Sequence, residues 1–503
     1  MTTQSLHNKI TPTCMRVAIR ADAGAKTGMG HFARIAPIAT ALQKSGDVEI
    51  LLVTNCEGAS YIGAFFSART QVLTLSPEEN SPLAAIQAME ARGWNPDVIL
   101  VDQYGWIKQW EIESAKSNMS LVVLDDLDVA CNADLIVRPH GNTRVSGRGL
   151  VLAGPSYAPL SPQVINLKSP QRKIPRSRLR LNICFGGADP TQELSKAIEA
   201  AASLNHMDID VLVGPGAQIE PKLLDTVDRS THIKLHQSPT QSKLVELMRS
   251  ADLALGAGGV MLWERLHLGL PSLVISTAEN QLPQVESMIA KGALVYLGHH
   301  SEVDVASIKR GILSLAEDKV LRKKLSVRGP KTVDGQGAWR LAAWIRALRL
   351  GFRDVEIEDA KDLLRWRTDE RNWHYNWAGS EKPQMESHLT WLRKCLTDPD
   401  CIFRIFMQAD EPVGVVRFDL SDGCTNAYLS IYLVPAWHEK RIGLPLYFAA
   451  EKELRRSHPS VNRIVSKIHA ENSASERLHR NAGFEIKVSK FQSDWLDATK
   501  EIK

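Results

Sequence analysis

The chain has 503 residues, of which 44% are hydrophobic and 23% charged, and its formal net charge is +4. This length exceeds what one hydrophobic core supports, so we expect two or three domains. The near-neutral balance, the lack of dense Lys/Arg blocks and the lack of long apolar runs argue against nucleic-acid binding and membrane insertion.

Cysteine usage and the N-terminal segment indicate the compartment. No CxxC spacing occurs, which argues against a zinc site and against a disulfide framework. The seven cysteines are Cys14, Cys56, Cys131, Cys184, Cys395, Cys401 and Cys424. The opening MTTQSLHNKITPT is polar and lacks the apolar core of a signal peptide. We therefore expect a cytoplasmic protein in a reducing compartment.

The first part of the chain alternates short apolar runs with helical segments. Residues 15–19 lead into a glycine-rich turn, and a segment with helical periodicity follows at 35–42. Further apolar runs, typical of buried parallel strands, are 48–53, 98–101, 121–124 and 135–137. Helical stretches are predicted at 82–92 and 109–117.

The glycine-rich turn lies in AIRADAGAKTGMGHFAR, residues 18–34. Strand, glycine turn and helix in that order bring backbone N–H groups and a helix N-terminus to an anionic ligand. His31 lies where the turn becomes helix, and histidine is the side chain best suited to move a proton near neutral pH. A glycine turn alone is weak evidence, and a lone histidine is more often structural, so both interpretations stay open here.

A second α/β series follows a polar, basic segment, residues 169–180, which we interpret as an interdomain linker. The predicted strands are 181–185, 209–213, 233–235, 253–255, 273–275 and 294–297. Helices are predicted at 191–204 and 339–350. Two similar α/β halves favour a two-domain Rossmann-like architecture with the site in the cleft between them.

Two segments of the second series carry candidate ligand groups. In LGAGGVMLWE, Gly258 and Gly259 let backbone N–H groups approach a diphosphate, and Glu264 is placed to accept hydrogen bonds from ribose hydroxyls. A tight turn with a solvated glutamate explains this segment equally well. The amides of Asn280 and Gln281 are suited to a sugar or a leaving phosphate, although this tetrapeptide, AENQ, is weak evidence alone.

The texture changes from residue 352 onward. Tryptophan and charge become dense in 366–377, where side chains either stack on a nucleotide base or pack in the core. Strands are then predicted at 401–408, 413–419, 427–433 and 463–469, with a helix at 444–456. This order favours an α+β domain. The domains are therefore expected at 1–168, 169–351 and 352–503.

Residues 15 to 345 resemble the metal-independent nucleotide-sugar hydrolases of pseudaminic acid biosynthesis, which are related to GT-B glycosyltransferases. The resemblance rests on IRADAGAKTGMGHFAR, VDQYGW with the later Trp110 and Glu111, VLDDL, CFGGADP, LGAGGVMLWERLHLGLPSLVI and AENQ, in matching order and spacing. It implies two GT-B-like Rossmann domains and a substrate that is a UDP-2,4-diacetamido-2,4,6-trideoxy hexose.

The resemblance also implies roles for residues. His31 is the expected general base, and Tyr104 and Asn280 are expected to line the sugar site. The positions expected to hold UDP or substrate are Gly28, Gly30, Arg34, Gly186, Gly187, Gly258, Gly259, Glu264 and Gln281. A diphosphate is a good leaving group, so we expect inversion by direct attack of water, without a metal.

Two acidic positions and one segment bear on this resemblance. Asp125 and Asp126 are the nearest approach to a metal-binding DxD pair, but we interpret them as a capping pair after a buried strand. The family usually has a polar strand end after LDDL, whereas this chain has VRPHGN at 137–142. The sugar's amide or stereochemistry is therefore expected to differ.

From residue 352 the chain resembles the GNAT N-acetyltransferases, especially those that act on amino sugars. The resemblance rests on LLRWRTDE, PVGVVRFDL, AYLSIYLVP and IHAENSASERLHRNAGFEI. It implies acetyl-CoA as cofactor, held by a phosphate-binding loop at a helix N-terminus. The expected acetyl-CoA-binding residues are Leu433, Lys440, Arg441, Gly443 and Asn472.

Two departures leave the acetyltransferase interpretation open. Arg441 replaces a glycine of the family's phosphate-binding loop, which here begins at His438, and His479 replaces its general-acid tyrosine. We expect a bifunctional enzyme that acetylates a UDP-4-amino sugar and then hydrolyses the UDP-diacetamido product. The alternatives are a GT-B glycosyltransferase that passes the sugar to an acceptor, and a hydrolase with a non-catalytic GNAT-like binding module.

Overall fold

The computed structural model describes residues 14–24, 27–46, 48–141, 149–166, 178–375, 381–421, 423–489 and 492–502. The chain forms two compact units, one comprising Met15–Ala342 and the other containing Ala343–Lys503. Most of the predicted linker (169–177) and the N-terminal segment 1–13 lie outside the described residues. None of the described helices is long and apolar enough to span a bilayer.

The first unit begins with a seven-stranded parallel sheet in the order β3-β2-β1-β4-β5-β6-β7. Its strands are β1 (Met15–Ala21), β2 (Val48–Asn55), β3 (Gln71–Leu75), β4 (Val98–Asp102), β5 (Ser120–Leu124), β6 (Leu135–Arg138) and β7 (Leu150–Ala153). Its helices are α1 (Gly30–Ser45), α2 (Cys56–Ala59), α3 (Ile62–Phe65), α4 (Pro82–Glu90), α5 (Ile107–Lys116) and α6 (Pro162–Ile165). All residues of β4 are buried, as expected for a central parallel strand covered on both faces.

A second parallel sheet of six strands has the order β10-β9-β8-β11-β12-β13. Its strands are β8 (Leu179–Cys184), β9 (Met207–Val213), β10 (Ile233–Gln237), β11 (Leu253–Ala257), β12 (Ser272–Ser276) and β13 (Val295–His299). The helices that follow them are α7 (Glu193–Ala201), α8 (Pro221–Asp228), α9 (Gln241–Ser250), α10 (Val260–His267), α11 (Leu282–Ala290), α12 (Val305–Glu317), α13 (Lys319–Thr332) and α14 (Gly337–Ala347).

The second unit contains a mixed sheet in the order β14-β15-β16-β17-β18-β20-β19. Its strands are β14 (Gly351–Asp354), β15 (Cys401–Gln408), β16 (Glu411–Ser421), β17 (Asn426–Leu433), β18 (Arg463–His469), β19 (Glu485–Val488) and β20 (Trp495–Glu501). Its helices are α15 (Ala360–Arg367), α16 (Glu370–Trp373), α17 (Met385–Thr397), α18 (Gly443–Ser457) and α19 (Ser473–Asn481).

The predicted fold class, two Rossmann-like α/β sheets followed by an α+β domain, is confirmed. Sequence reasoning did not predict β3, β7, β14, β19 and β20 as strands. Four of these five have only one neighbouring strand, since β3, β7, β14 and β19 lie at sheet edges. Edge strands are partly exposed and lack the continuous apolar run of a central parallel strand, so they give a weak sequence signal.

Candidate functional site

The glycine-rich turn after β1 closes on itself. Gly28 donates a backbone hydrogen bond to the Gly24 carbonyl at 2.7 Å, and Gly24 donates one back at 3.3 Å. Gly28 has φ +74°, a conformation that costs other residues more than glycine. The turn delivers the chain into α1, where His31 is the second residue and is 7% exposed.

His31 forms a hydrogen bond with an aspartate that sequence reasoning did not select. Its Nδ1 lies 2.7 Å from Oδ1 of Asp102, the last residue of β4. The two meet because β1 and β4 are neighbours in the sheet, at the point where the strand order reverses. Since the carboxylate accepts the Nδ1 proton, the other ring nitrogen, Nε2, carries a lone pair and is suited to act as a base.

Arg34 lies one helical turn after His31 and holds the same carboxylate. Its Nε donates to Asp102 Oδ2 at 2.5 Å, and a terminal guanidinium nitrogen bonds Oδ1. Arg34 also forms an ion pair with Asp126, which follows β5. Burial alone would raise the pKa of Asp102, but Arg34 and then His31 oppose it, and the pKa is lowered to about 2. Asp102 is therefore ionised at every working pH.

Tyr104 and Asn280 connect the two parallel sheets of this unit. The Tyr104 hydroxyl donates to Asp126 Oδ2 at 2.9 Å and accepts from Asn280 Nδ2 at 3.1 Å. The Tyr104 ring stands edge-on to the His31 ring, with 5.0 Å between centroids. Burial, with the Asp126 charge, raises the pKa of Tyr104 to about 12, so the hydroxyl stays protonated. The predicted residues His31, Arg34, Tyr104 and Asn280 thus form one contiguous network.

The glycine turns of the two sheets approach each other. A Cβ built on Gly187 would lie 3.7 Å from Met29 Cγ, whereas Cβ atoms at Gly28, Gly30 and Gly186 would meet nothing within 4 Å. The two turns therefore meet at Met29 and Gly187, and each of the other predicted glycines has open space beside it. A ligand backbone or phosphate can approach them closely there.

In the turn between β11 and α10, the backbone N–H groups that were expected to point at a diphosphate are instead bonded within the protein. The Gly258 N–H donates to Gln281 Oε1 at 3.2 Å, and the Gly259 N–H donates to Gln284 Oε1 at 2.6 Å. These two glutamines follow β12, which pairs with β11, so their side chains reach the start of α10. The predicted Gln281 thus binds the predicted glycine, and Gln284 is a contact that sequence reasoning missed.

Glu264 lies inside α10 and is 4% exposed, not solvated. Gln241 donates a long hydrogen bond to its Oε1 at 3.4 Å. Burial, only partly offset by Arg265, raises the pKa of Glu264 to about 7. A buried carboxylate with spare acceptor capacity is chemically suited to two vicinal hydroxyls.

The raised pKa of Glu264 makes a testable prediction for Glu264→Gln. The unfolded carboxyl loses its proton near pH 4.5 and the folded one near pH 7, so wild-type stability falls as pH rises through this window. We expect Glu264→Gln to gain up to about 3 kcal/mol over wild type at pH 8 and nothing near pH 4.5, measured by chemical denaturation. Glu246→Gln, on the exposed face of α9, is the control. An unchanged difference between pH 5 and pH 8 would contradict the assignment.

The segment 137–142, where the sequence differs from the hydrolases it resembles, contains residues that pair with nearby aspartates. Arg138 is buried and pairs with Asp125 at 2.8 Å, and His140 Nε2 lies 3.1 Å from Asp128. Asp125 also accepts from the Leu127 amide at 3.0 Å, which fits its predicted capping role. Asp126 instead belongs to the Tyr104 network. Asn142 lies outside the described residues.

In the second unit, β17 and β18 diverge. They pair in parallel only from Asn426 to Tyr428, although β17 continues to Leu433. The Leu433 carbonyl, beyond the paired part, accepts from Asn372 Nδ2 at 3.0 Å and contacts His438 Nε2 at 3.3 Å. The open edge between the strands leads to the loop before α18.

The loop before α18 has backbone angles typical of glycine at two residues that are not glycine. Glu439 and Arg441 have φ +63° and +61°, in the left-handed region, and Gly443 is the first residue of α18. Alternating left-handed positions turn successive N–H groups toward one concave side, which binds anions. Lys440 and Arg441 are exposed. The substitution of Arg441 for glycine has therefore not removed the loop conformation.

Asn472 and His479 both belong to α19. Asn472 caps the helix by accepting from the Ser475 amide at 3.0 Å. His479 is 1% exposed, and its Nδ1 donates to the Ser475 carbonyl at 2.8 Å. Burial lowers the pKa of His479, so its ring is neutral and Nε2 is a lone-pair acceptor. The predicted general-acid role does not fit this geometry, because a neutral ring bonded through Nδ1–H has no proton at Nε2 to give.

Comparison with known proteins identifies this second unit. Residues 349–485 match the family model described as acetyltransferase (GNAT) domain. The C-terminal part of the chain is a GNAT acetyltransferase domain.

The preceding region consists of two Rossmann-like parallel sheets and is similar to a spore coat polysaccharide biosynthesis protein, SpsG, of Bacillus subtilis. The two are 23% identical over 345 residues, which cover 66% of this chain and 98% of that protein. An uncharacterised protein of Methanocaldococcus jannaschii is 23% identical over 395 residues, covering 75% and 78%. Among solved structures, MurG of Acinetobacter baumannii aligns with TM-score 0.49 and 12% identity, covering 66% of this chain and 99% of that one.

For the tryptophan-rich run 366–377 of the GNAT domain, the sequence left two interpretations open, core packing and stacking on a nucleotide base. Trp366 is buried in the core, which fits packing. Its neighbour Arg367 lies over the ring of Trp391, 5.0 Å from the centroid, and Arg417 lies 5.2 Å from the same centroid. This pair of guanidinium groups around one indole is suited to an anionic or planar acceptor. Trp377 lies outside the described residues.

Proposed function

We propose that the chain hydrolyses a UDP-2,4-diacetamido-2,4,6-trideoxy hexose to UDP and free sugar, and that its GNAT domain N-acetylates the UDP-4-amino precursor. The observation that carries the hydrolase proposal is the His31–Asp102 hydrogen bond beside the Tyr104–Asn280 link. We assign 1–168 to the catalytic turn, 169–351 to UDP binding and 352–503 to acetyl transfer.

In the proposed hydrolysis, Nε2 of His31 takes a proton from water as the water oxygen attacks the anomeric carbon. The bond to the diphosphate oxygen breaks, UDP leaves with the bonding electrons, and the configuration inverts. Asp102 keeps the ring in the required tautomer and stabilises the imidazolium that forms. Tyr104 and Asn280 orient the sugar.

The leaving diphosphate is assigned to the turns around Gly186 and Gly258. Its oxygens are better acceptors than the amide oxygens of Gln281 and Gln284, so they are expected to take over the Gly258 and Gly259 N–H groups. The displaced glutamine amides are then able to turn their NH₂ groups toward the same phosphates. Glu264 is assigned to the ribose hydroxyls.

The residues of the GNAT domain fit acetyl-CoA. The backbone of 439–443 is assigned to its phosphates, and the open edge of β17 near Leu433 to its pantetheine arm. When bound, acetyl-CoA supplies the activated acetyl group for an amine. Asn472 acts by capping α19, and His479 Nε2 is assigned to accepting a proton.

The hydrolase proposal is tested by incubating the full chain with the UDP-diacetamido sugar and no acceptor. We expect equal amounts of UDP and free sugar. NMR should show that the first sugar released has the inverted anomeric configuration. UDP release that needs an added sugar or lipid acceptor would favour the GT-B glycosyltransferase alternative. Stable UDP-sugar under both conditions would refute the proposed reaction.

The acetyl-CoA assignment predicts that Arg441→Gly keeps binding. A left-handed φ costs a non-glycine residue about 1 kcal/mol, so the free energy of unfolding of the variant should be about 1 kcal/mol larger than that of wild type. The variant should bind acetyl-CoA as tightly as wild type, measured by calorimetric titration of the full chain. Lys440→Gly, next to it and without a positive φ, is the control and should lose stability. A selective loss of affinity in Arg441→Gly would assign the phosphates to the guanidinium. No binding by wild type would favour a non-catalytic module.

A further inference from the structure

Two cysteines of the second unit lie together where α17 leads into β15. Cys395 is in the last turn of α17, and Cys401 is the first residue of β15. Each thiol is the main electrostatic influence on the other, and both residues are partly exposed. The proposed hydrolysis and acetyl transfer use neither thiol.

An arginine of the adjacent strand faces this pair. Strand β16 runs antiparallel to β15, with Cys401 opposite Asp419. Arg417, two residues before Asp419, places a guanidinium nitrogen 3.8 Å from Cys395 Sγ and also pairs with Asp419. The cationic neighbour and the second thiol are both suited to stabilise a thiolate at Cys395.

The two thiols are electrostatically unequal. Interaction with the Cys401 thiol, opposed by burial and helped by Arg417, lowers the pKa of Cys395 to about 7. The same interaction, with burial, raises the pKa of Cys401. Cys395 is thus suited to act as a nucleophile near neutral pH, while Cys401 remains a protonated thiol.

We propose that Cys395 and Cys401 form a peroxide-responsive thiol pair that closes to a disulfide. The Cys395 thiolate attacks one oxygen of hydrogen peroxide, the O–O bond breaks, and hydroxide leaves, giving Cys395 sulfenic acid. The Cys401 sulfur then attacks the Cys395 sulfur, its proton and the hydroxyl group leave as water, and the S–S bond forms. Two thiols are oxidised by two electrons, and one peroxide is reduced to two waters.

The consequence of closure lies within the same cluster. Trp391, one turn before Cys395 on α17, packs between Arg367 and Arg417. A disulfide removes the thiolate beside Arg417 and ties the end of α17 to β15. Oxidation therefore changes both the charge and the anchoring of the indole–guanidinium cluster.

The test uses the reduced full chain and one equivalent of hydrogen peroxide. The chain has seven cysteines, so titration of free thiols should fall from seven to five, and peptide mass spectrometry should find Cys395 linked to Cys401. Retention of all seven thiols, or a link between other cysteines, would overturn the proposal.

A second measurement does not depend on the disulfide. With limiting iodoacetamide at pH 7, Cys395 should be alkylated before Cys56, although Cys56 is the more exposed. Cys401→Ser should accumulate a sulfenic acid that dimedone traps at Cys395, whereas Cys395→Ser should lose no thiol pair. Cys424→Ser is the matched control and should still lose two thiols. Labelling that follows exposure, with Cys56 first, would contradict the proposal.

Discussion

Replacement of His31 by asparagine is expected to lower UDP release by about 10²–10⁴-fold, because the variant lacks the proposed base that deprotonates water. The Nδ1 of His31 is bonded to Asp102, which leaves Nε2 to take the proton, and an asparagine amide offers no comparable basic nitrogen. The measurement is single-turnover UDP release from the UDP-diacetamido sugar. Acetyl-CoA turnover by the same variant should remain at the wild-type level.

The matched control for this prediction is His236→Asn. His236 Nε2 also lies 2.8 Å from an aspartate, Asp210, but this pair joins the edge strand β10 to its neighbour β9 and is not at the glycine turn. It should leave UDP release within about twofold, as expected for a partly exposed position. Wild-type rates in His31→Asn would reject the base assignment. Equal losses in both variants would point to stability instead.

The strand–turn–helix unit around His31 was predictable because each step has a local signal. The apolar run at 15–19 lies within the buried parallel strand β1, and the glycines permit the turn at Gly28. The predicted helical segment, 35–42, lies inside α1, which begins five residues earlier at Gly30. The order of such units along the chain was sufficient to predict two parallel sheets.

The partners of these residues were not predictable in the same way. Asp102 is the end of an ordinary buried strand in sequence, and it meets His31 only because β4 lies next to β1. A carboxylate ending the strand that neighbours a glycine turn is the signal that would have found it. Gln284 and its partner, Gly259, are likewise distant in sequence, at 25 positions along the chain. Contacts of this kind depend on strand order, which a single sequence does not specify.

The GNAT domain shows the opposite error, in which a sequence departure suggested more change than the backbone contains. Arg441 lacks the glycine of the family pattern, yet its φ of +61° retains the left-handed turn. Residue identity predicts which backbone conformation has the lowest local free energy, and tertiary context decides which conformation is adopted. His479 is the reverse case, since its burial and Nδ1 contact change its expected chemistry from donor to acceptor.

Asp102→Asn is expected to be as damaging to hydrolysis as loss of the base, although the side chain touches no substrate. One amide nitrogen must replace either Oδ1, which accepts from both His31 and Arg34, or Oδ2, which accepts from Arg34. If it faces His31, the ring must take the other tautomer, and Nε2 then carries a proton instead of a lone pair. If it faces Arg34, two donors oppose each other in a buried site. The turnover number should fall by about 10²–10⁴-fold, measured as UDP release.

The same substitution also has a stability cost whose pH dependence identifies its source. The pKa of Asp102 is about 2 in the folded chain and near 4 when unfolded, so its contribution is complete above pH 4 and is lost as the pH falls toward 2. The variant should be about 2–3 kcal/mol less stable at pH 7, with the difference shrinking below pH 4.

The control for both effects is Asp125→Asn. Asp125 is equally buried and directly follows the neighbouring strand β5. Its partners are Arg138 and the Leu127 and Val129 amides, rather than His31. It should lose comparable stability while keeping its turnover number at temperatures where it is folded. A loss of turnover in Asp102→Asn that merely tracks its loss of stability, as in Asp125→Asn, would show that Asp102 only supports the fold. A loss that persists in fully folded protein assigns Asp102 to the orientation of the base.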